Sequence, residues 1–131
     1  MKSNVLVDTS VWIQYFNKLD SKPGKSVEGL LREGRVVGAG IVLTELLQGA
    51  KIEKEFNAIL ESIAALPFLE TTQNTWIMAG RTSYTLRGKG TTIPTTDLII
   101  ASLALEHDCL IFTLDPHFEK IPDIELYKYS Q

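Results

Sequence analysis

Short runs of apolar and β-branched residues alternate with helical patterns along this chain of 131 residues, and this alternation constrains the fold more than any other feature. The predicted strands are residues 5–7, 35–39, 109–114 and 124–127, with a weaker one at 67–69. Parallel strands need crossover connections between them, and helices supply these. We therefore expect a three-layer α/β sandwich with a central, mostly parallel sheet flanked by helices.

Helical patterns fill the gaps between these runs. They cover residues 11–17, 26–33, 41–48, 52–65, a stretch from Thr71 or Thr72 to 88–90, and 97–106, with residues 20–25 as a loop. Ser10 or Thr9 is expected to cap the first helix and Ser26 the second. The last helix is apolar nearly all round, which predicts burial against the sheet. A helical bundle is the alternative, but the β-branched residues at 5–7 and 109–113 disfavour it.

The composition predicts a single folded domain over residues 1–131. Hydrophobic residues make up 44% and charged residues 22% of the chain, so a disordered chain is not expected. The longest charge-free apolar runs, such as 98–105, are far shorter than the roughly 20 residues of a membrane-spanning helix. Asp8 interrupts any apolar leader at the start. The one cysteine, Cys109, cannot form an internal disulfide, so we expect a cytoplasmic protein.

Four carboxylates stand where parallel α/β proteins bind ligands. Asp8 and Asp115 end two predicted strands, and the ligand crevice of an open parallel sheet lies beyond the carboxyl ends of its strands. Asp97 falls in the first turn of the buried helix. Glu45 lies in the apolar segment IVLTELLQG, where we expect it to be buried. The fold would bring all four carboxylates to one crevice.

Each acid alone has an ordinary structural explanation. Asp97 could be stabilised by the helix dipole, Asp115 could start a turn before the following proline, and Asp8 could cap the next helix. Four gathered carboxylates would repel one another unless a hard cation bound among them. Mg²⁺ or Mn²⁺ suits oxygen ligands, whereas a sequence without a Cys and His cluster disfavours zinc. Two such ions can activate water and stabilise a leaving oxygen, so the pattern predicts hydrolytic phosphodiester cleavage.

Three stretches of the sequence resemble one family. VLVDTSVWIQYF at the start, GIVLTELLQG in the middle and TTDLIIASLALEHDCLIFTLDPHF near the end resemble the PIN domain ribonucleases, and within them the VapC-type toxins of prokaryotic toxin–antitoxin pairs. The resemblance runs from residue 4 to residue 127. It implies a PIN-like fold and a Mg²⁺- or Mn²⁺-dependent endoribonuclease.

The resemblance also assigns roles to the four acids, all of which fall on the family's catalytic and metal-binding positions. Asp8 would be the central metal ligand. Asp97 and Asp115 would share the coordination, directly or through water. Glu45 would orient or deprotonate the attacking water.

Hydroxyl and imidazole side chains adjoin these acids. Thr9 and Thr113 match hydroxyl residues that hydrogen-bond the family's carboxylates or metal-bound waters. His117 stands where many relatives carry a further acidic residue, which leaves the number of metal ions open. It could bind a phosphate, assist proton transfer or be an exposed loop residue. His107 is expected to be a C-terminal helix cap.

Nucleic-acid binding would have to be local, because the formal net charge is −3. Arg81, Arg87 and Lys89 form the densest basic stretch. A solvated helix face explains them by itself, but the resemblance makes them candidates for contact with the RNA backbone. It further implies a VapB-type antitoxin that covers the site, and a homodimer. Trp12, Tyr15, Phe16 and the helices from 26 to 64 could supply an apolar groove for the antitoxin, and core packing is the alternative explanation for most of these residues.

Two other functions are compatible with an α/β fold. A non-catalytic module could bind RNA or a protein, with the acids only capping helices, and it predicts no dependence on divalent ions. A phosphatase-like or receiver-like domain with Asp8 as phosphoryl acceptor is weaker, because the DTS sequence lacks a second aspartate two residues on. Metal-dependent RNA cleavage that is lost in Asp8→Asn would distinguish the nuclease from both.

Overall fold

A parallel sheet of four short strands forms the centre of the fold in the computed structural model, which describes residues 2–129. The strands are β1 (Val5–Val7), β2 (Val36–Ala39), β3 (Phe68–Leu69) and β4 (Leu110–Phe112). Their order is β3-β2-β1-β4, and every pair is parallel. Val5 pairs with Val36 on one side and with Leu110 on the other. The predicted parallel sheet is confirmed.

Burial on both faces explains the sequence of the inner strand. Val5, Leu6 and Val7 are all fully buried, so β1 is an unbroken apolar run rather than an alternating one. A chain direction that is the same in all four strands brings their carboxyl ends to one edge of the sheet. Asp8 directly follows β1 and therefore lies at that edge.

Six helices flank the sheet. They are α1 (Thr9–Asn17), α2 (Lys22–Arg32), α3 (Gly40–Gln48), α4 (Glu53–Ile63), α5 (Gln73–Gly88) and α6 (Thr95–Glu106). Residues 97–104 of α6 are all buried, as the apolar sequence of this helix predicted. Helix α1 packs against α2 and α3, and α5 packs along α6. None of the helices within residues 2–129 is long and apolar enough to cross a membrane.

The strand predicted at residues 124–127 is wrong. This segment contributes one parallel bridge, between Ile111 and Leu126, with Ile111 donating to Glu125 and accepting from Tyr127 through backbone atoms. Asp123 has a φ of 70°, so the chain turns sharply just before the segment reaches β4. The pairing does not extend beyond this one bridge, although β4 pairs with β1 along all of its three residues.

The second helix begins earlier than predicted. Residues 20–25 were expected to form a loop and Ser26 to cap the helix, but α2 starts at Lys22. The Ser21 hydroxyl accepts a hydrogen bond from the Gly24 backbone at 3.1 Å, which satisfies one of the free N–H groups of the first turn. Pro23 fits this turn because its missing N–H would have no helical partner there.

Candidate active site

Asp8 occupies the N-cap position of α1, yet its side chain does not cap the helix. Its Oδ2 instead accepts hydrogen bonds from Ser10 Oγ and Thr113 Oγ1, both at 2.8 Å. The residue is 5% exposed, so these hydroxyls replace the water that the carboxylate loses on burial. The predicted side-chain cap by Asp8, and the predicted caps by Thr9 or Ser10, are therefore wrong. The two bonds hold Oδ2 and leave Oδ1 for another partner.

The same two hydroxyls tie the loop after β4 to the start of α1. The Leu114 backbone donates to Ser10 Oγ at 3.1 Å, and the Asp115 backbone donates to Thr113 Oγ1 at 3.0 Å. Thr113 was among the predicted site residues, whereas Ser10 was not. The signal for Ser10 was its position in the DTS triplet, because a hydroxyl two residues after an aspartate at a strand end can turn back to the carboxylate.

Asp97, Asp115 and His117 form a compact group. His117 Nδ1 lies 3.1 Å from Asp115 Oδ1 and 3.3 Å from Asp97 Oδ2. One donor atom from each residue lies within 4.8 Å of the others, and this is the group of possible metal ligands found among residues 2–129. Asp115 Oδ1 also accepts a hydrogen bond from the His117 backbone at 2.9 Å, which confirms that Asp115 starts a turn. The side chain of His117 is 44% exposed, yet its Nδ1 faces the two carboxylates, so it is more than an ordinary loop histidine.

The pKa of Asp97 reveals how closely the acids are gathered. Burial, then the charges of Asp115 and Asp8, together raise this pKa from 3.8 to about 6, and the His117 imidazole acts in the opposite direction. Burial and like charges both disfavour an ionised carboxylate. The three aspartates therefore share one electrostatic site at the carboxyl edge of the sheet.

Glu45 is linked by a hydrogen bond to the residue next to Asp8, and it is not part of the group formed by Asp97, Asp115 and His117. Its Oε1 accepts from Thr9 Oγ1 at 2.9 Å, and Thr9 is the neighbour of Asp8. The expectation that Glu45 is buried is wrong, since it is only half-buried. The reason is that α3 presents it to an open groove of about 300 Å³, which Ile13, Phe16 and Ile59 also line.

The basic candidates lie away from the carboxylates. Arg81 and Arg87 are exposed on α5, and Lys89 follows the end of this helix. The Arg81 guanidinium lies over the ring of Tyr84, 6.0 Å from its centre. Arg87 lines a hollow together with Thr95 of α6, which begins the helix that carries Asp97. Arg87 therefore lies beside the first turn of the helix that carries Asp97.

The other histidine, His107, lies at the C-terminal end of a helix, as the sequence predicted. His107 is the C-cap residue of α6, and its backbone donates to Leu103 O at 3.1 Å. It lies at the opposite end of α6 from Asp97. It is exposed to solvent and thus has an environment unlike that of His117.

A parallel α/β sheet with aspartates gathered beyond its carboxyl ends defines a class of proteins with a carboxylate cluster that could bind a metal ion. The family model described as the PIN domain matches residues 5–124. The chain therefore belongs to the PIN domain family.

Individual relatives agree with this assignment. Ribonuclease VapC11 of Mycobacterium tuberculosis is 29% identical over 124 residues, which are 92% of each chain. Among solved structures, DNA-bound VapBC from Salmonella typhimurium contains a chain with a TM-score of 0.81 and 25% identity, covering 96% of this chain and 98% of that one. A chain of VapBC2 from Rickettsia felis, bound to a promoter DNA fragment, has the same TM-score and coverage at 22% identity.

Proposed function

We propose that this chain is a metal-dependent endoribonuclease that acts as the toxin of a type II toxin–antitoxin pair. The observation that carries the proposal is the gathering of Asp8, Asp97 and Asp115 at one edge of the sheet, where burial and then the charges of Asp115 and Asp8 raise the pKa of Asp97 to about 6. Such a site is costly to fold unless a cation binds there. The names of its relatives, Ribonuclease VapC11 and VapBC, support ribonuclease activity and an antitoxin partner.

The donor set fits a divalent ion such as Mg²⁺ or Mn²⁺. Within residues 2–129, neither Asp97 Oδ2 nor His117 Nδ1 has a hydrogen-bond partner although both atoms are buried. A buried polar atom without a partner costs free energy that a ligand can recover. Asp8, Asp97 and Asp115 would hold the ion, with Glu45 acting at its edge.

Each side chain would then have a defined task. A bound divalent ion polarises a phosphodiester and acidifies a water molecule. Ser10 and Thr113 hold Oδ2 of Asp8 and so keep its carboxylate in one orientation. The hydrogen bond from Thr9 orients Glu45, whose carboxylate can accept a proton from the attacking water. Thr9 and Thr113 thus serve as positioning residues.

The proposed substrate is RNA, with its backbone bound by Arg81, Arg87 and Lys89. The chain has a net charge of −3. These three basic side chains would therefore have to offset the repulsion between the RNA phosphates and the acidic site. Arg87 supports this assignment because it borders the hollow that reaches the start of α6. An enzyme that cleaves cellular RNA would act in the cytoplasm.

The proposed protein partner is a VapB-type antitoxin. The groove between α1, α3 and α4 has about 300 Å³ of space and is lined mostly by apolar side chains, with Glu45 at its wall. Apolar grooves of this size accommodate side chains of an amphipathic helix. A partner seated there would reach Glu45 and so the edge of the site.

The chain is also proposed to form a homodimer. Three large apolar side chains of α5, those of Trp76, Ile77 and Tyr84, are 53%, 58% and 73% exposed. A self-complementary contact between two copies would bury such a face on both partners.

Purified variants test the catalytic proposal. Asp8→Asn and Asp97→Asn should each lower Mn²⁺-dependent RNA cleavage by about a thousandfold or more, because a metal ligand is lost. Asp20→Asn, the same change at an exposed position, is the matched control and should cleave RNA normally. Cleavage that resists a chelator, or that persists in both site variants, would refute the proposal. A wild-type chain that binds RNA but cleaves none with Mn²⁺ would favour a non-catalytic binding module.

A further inference from the structure

His117 directs a nitrogen atom into the acidic site. The side chain as a whole is 44% exposed, but its Nδ1 atom is buried. The backbone fixes this arrangement in two ways. The His117 N–H donates to Asp115 Oδ1 at 2.9 Å, and Pro116 at the start of the short 3₁₀ helix Pro116–Lys120 restricts the preceding turn.

The distances within this group match those between ligands of one ion. Nδ1 lies 3.1 Å from Asp115 Oδ1 and 3.3 Å from Asp97 Oδ2. Neighbouring ligands at about 2.1 Å from an octahedral ion stand about 3 Å apart. The spacing of the nitrogen from both carboxylates is thus the spacing expected when all three atoms face the same ion.

The alternative is a protonated imidazole that forms an ion pair with the two carboxylates. Such a pair requires an N–H group that points at an oxygen. Yet among residues 2–129 neither His117 Nδ1 nor Asp97 Oδ2 has a partner at the angle that a hydrogen bond requires, in spite of the 3.3 Å between them. A lone pair directed into the space between the oxygens explains this geometry better than a proton does.

We propose that His117 is a metal ligand through Nδ1, and that the mixed nitrogen and oxygen site prefers Mn²⁺ or a later first-row ion to Mg²⁺. The inference rests on the proposed metal site and extends it to the identity of the metal. Mg²⁺ binds oxygen ligands and its own waters. First-row transition ions accept imidazole more readily, and an added nitrogen ligand shifts the balance towards them.

Pulsed electron paramagnetic resonance of the Mn²⁺-loaded full chain tests the ligand directly. A coordinated imidazole nitrogen modulates the Mn²⁺ spin echo, and we expect this modulation in the wild type and in His107→Ala. It should vanish in His117→Ala and in His117→Asn, which keeps a polar side chain of similar shape. The chain has two histidines, so His107 is the complete control for nitrogen background.

Titrations with each metal alone test the preference. His117→Ala should weaken Mn²⁺ binding by about tenfold or more and Mg²⁺ binding by less than about threefold, so the ratio of the two affinities falls. Circular dichroism checks that the variants fold.

The outcomes separate this inference from the proposed function. Mn²⁺ binding that depends on Asp97 but gives no nitrogen modulation would overturn the role of His117 and leave the proposed nuclease standing. An unchanged ratio of affinities in His117→Ala would also overturn it. A chain that binds neither Mn²⁺ nor Mg²⁺ would refute both proposals.

Discussion

The metal-free fold favours the protonated form of the Asp97 carboxyl group, whereas a metal site needs the ionised form. Burial and the charges of Asp115 and Asp8 raise its pKa from 3.8 to about 6, so ionised Asp97 destabilises the metal-free fold. An ion-binding site needs that ionised form. The folded, metal-free chain is therefore destabilised by the burial of Asp97 and by repulsion among the carboxylates. A bound cation can offset this loss of stability.

Asp97→Asn should stabilise the metal-free chain. Because the folded state holds the Asp97 proton more tightly than the unfolded state does, wild-type stability falls as the pH rises from about 4 to about 6. The variant lacks this fall. Above pH 6 it should be more stable by about 2 kcal/mol, and the difference should disappear near pH 4. Urea unfolding in the presence of a chelator measures this difference in stability between the variant and the wild type. Asp20→Asn should show no such gain.

Ser10 is the site residue that sequence analysis missed. Its replacement should lower RNA cleavage strongly and stability only slightly. Ser10→Ala deletes the 2.8 Å bond to Asp8 Oδ2 and frees this carboxylate to rotate. We expect RNA cleavage to fall by about tenfold or more, with a stability loss of only about 1 kcal/mol. Ser26→Ala in α2 is the control. Equal cleavage by both variants would show that Thr113 alone orients Asp8.

The acids themselves could be predicted from the sequence, while their neighbours could not. Asp8 ends an apolar strand and Asp97 begins an apolar helix, and both signals are local. The burial of His117 Nδ1 depends on how the loop after β4 turns towards α6. Likewise Glu45 is half-buried because of the groove beside α3, which no pattern in its own helix reveals.

At the scale of elements, the predictions were right where the sequence of a helix or strand by itself determines its structure and burial. The continuous apolar sequence of β1 and the all-round apolar sequence of α6 gave the correct element type and the correct burial. The start of α2 depends on a side chain outside the helix, Ser21, and the pairing at 124–127 depends on how far this segment runs beside β4. Interactions between segments set both, so the pattern of one segment was insufficient.

Two glycines of α2 should respond in opposite directions to the same change. A Cβ atom at Gly24 would lie 2.7 Å from the backbone oxygens of both Lys18 and Leu19, and backbone atoms cannot move aside without shifting the turn after α1. Gly24→Ala should therefore destabilise the chain by about 1–3 kcal/mol.

Gly29 provides the matched comparison within the same helix. A Cβ atom there meets nothing within 4 Å, so Gly29→Ala should stabilise the chain by about 0.5–1 kcal/mol through helix propensity. Thermal and urea unfolding of both variants measure the pair. A loss of stability in both would indicate that α2 tolerates no added volume and that the tight turn is not the cause.

At the scale of the whole molecule, the parallel topology of the sheet brings the side chains of the site together. The carboxyl ends of β1 and β4 are adjacent because these strands pair directly, which places Asp8 beside the loop that carries Thr113 and Asp115. Helix α6 then brings Asp97 to the same edge. The order of strands was not evident from the sequence, but a parallel sheet required the strand ends to share one edge.

The groove between α1, α3 and α4 should determine affinity for the antitoxin. Ile13 lines this groove and is 45% exposed, so a partner seated there would bury it. Leu19 is 47% exposed at the end of the first helical unit, outside the groove. Ile13→Ala should raise the dissociation constant of the complex about tenfold, which corresponds to about 1.4 kcal/mol. Leu19→Ala should leave it unchanged. Calorimetry with the co-expressed antitoxin measures both, and equal effects at the two positions would place the partner on another face.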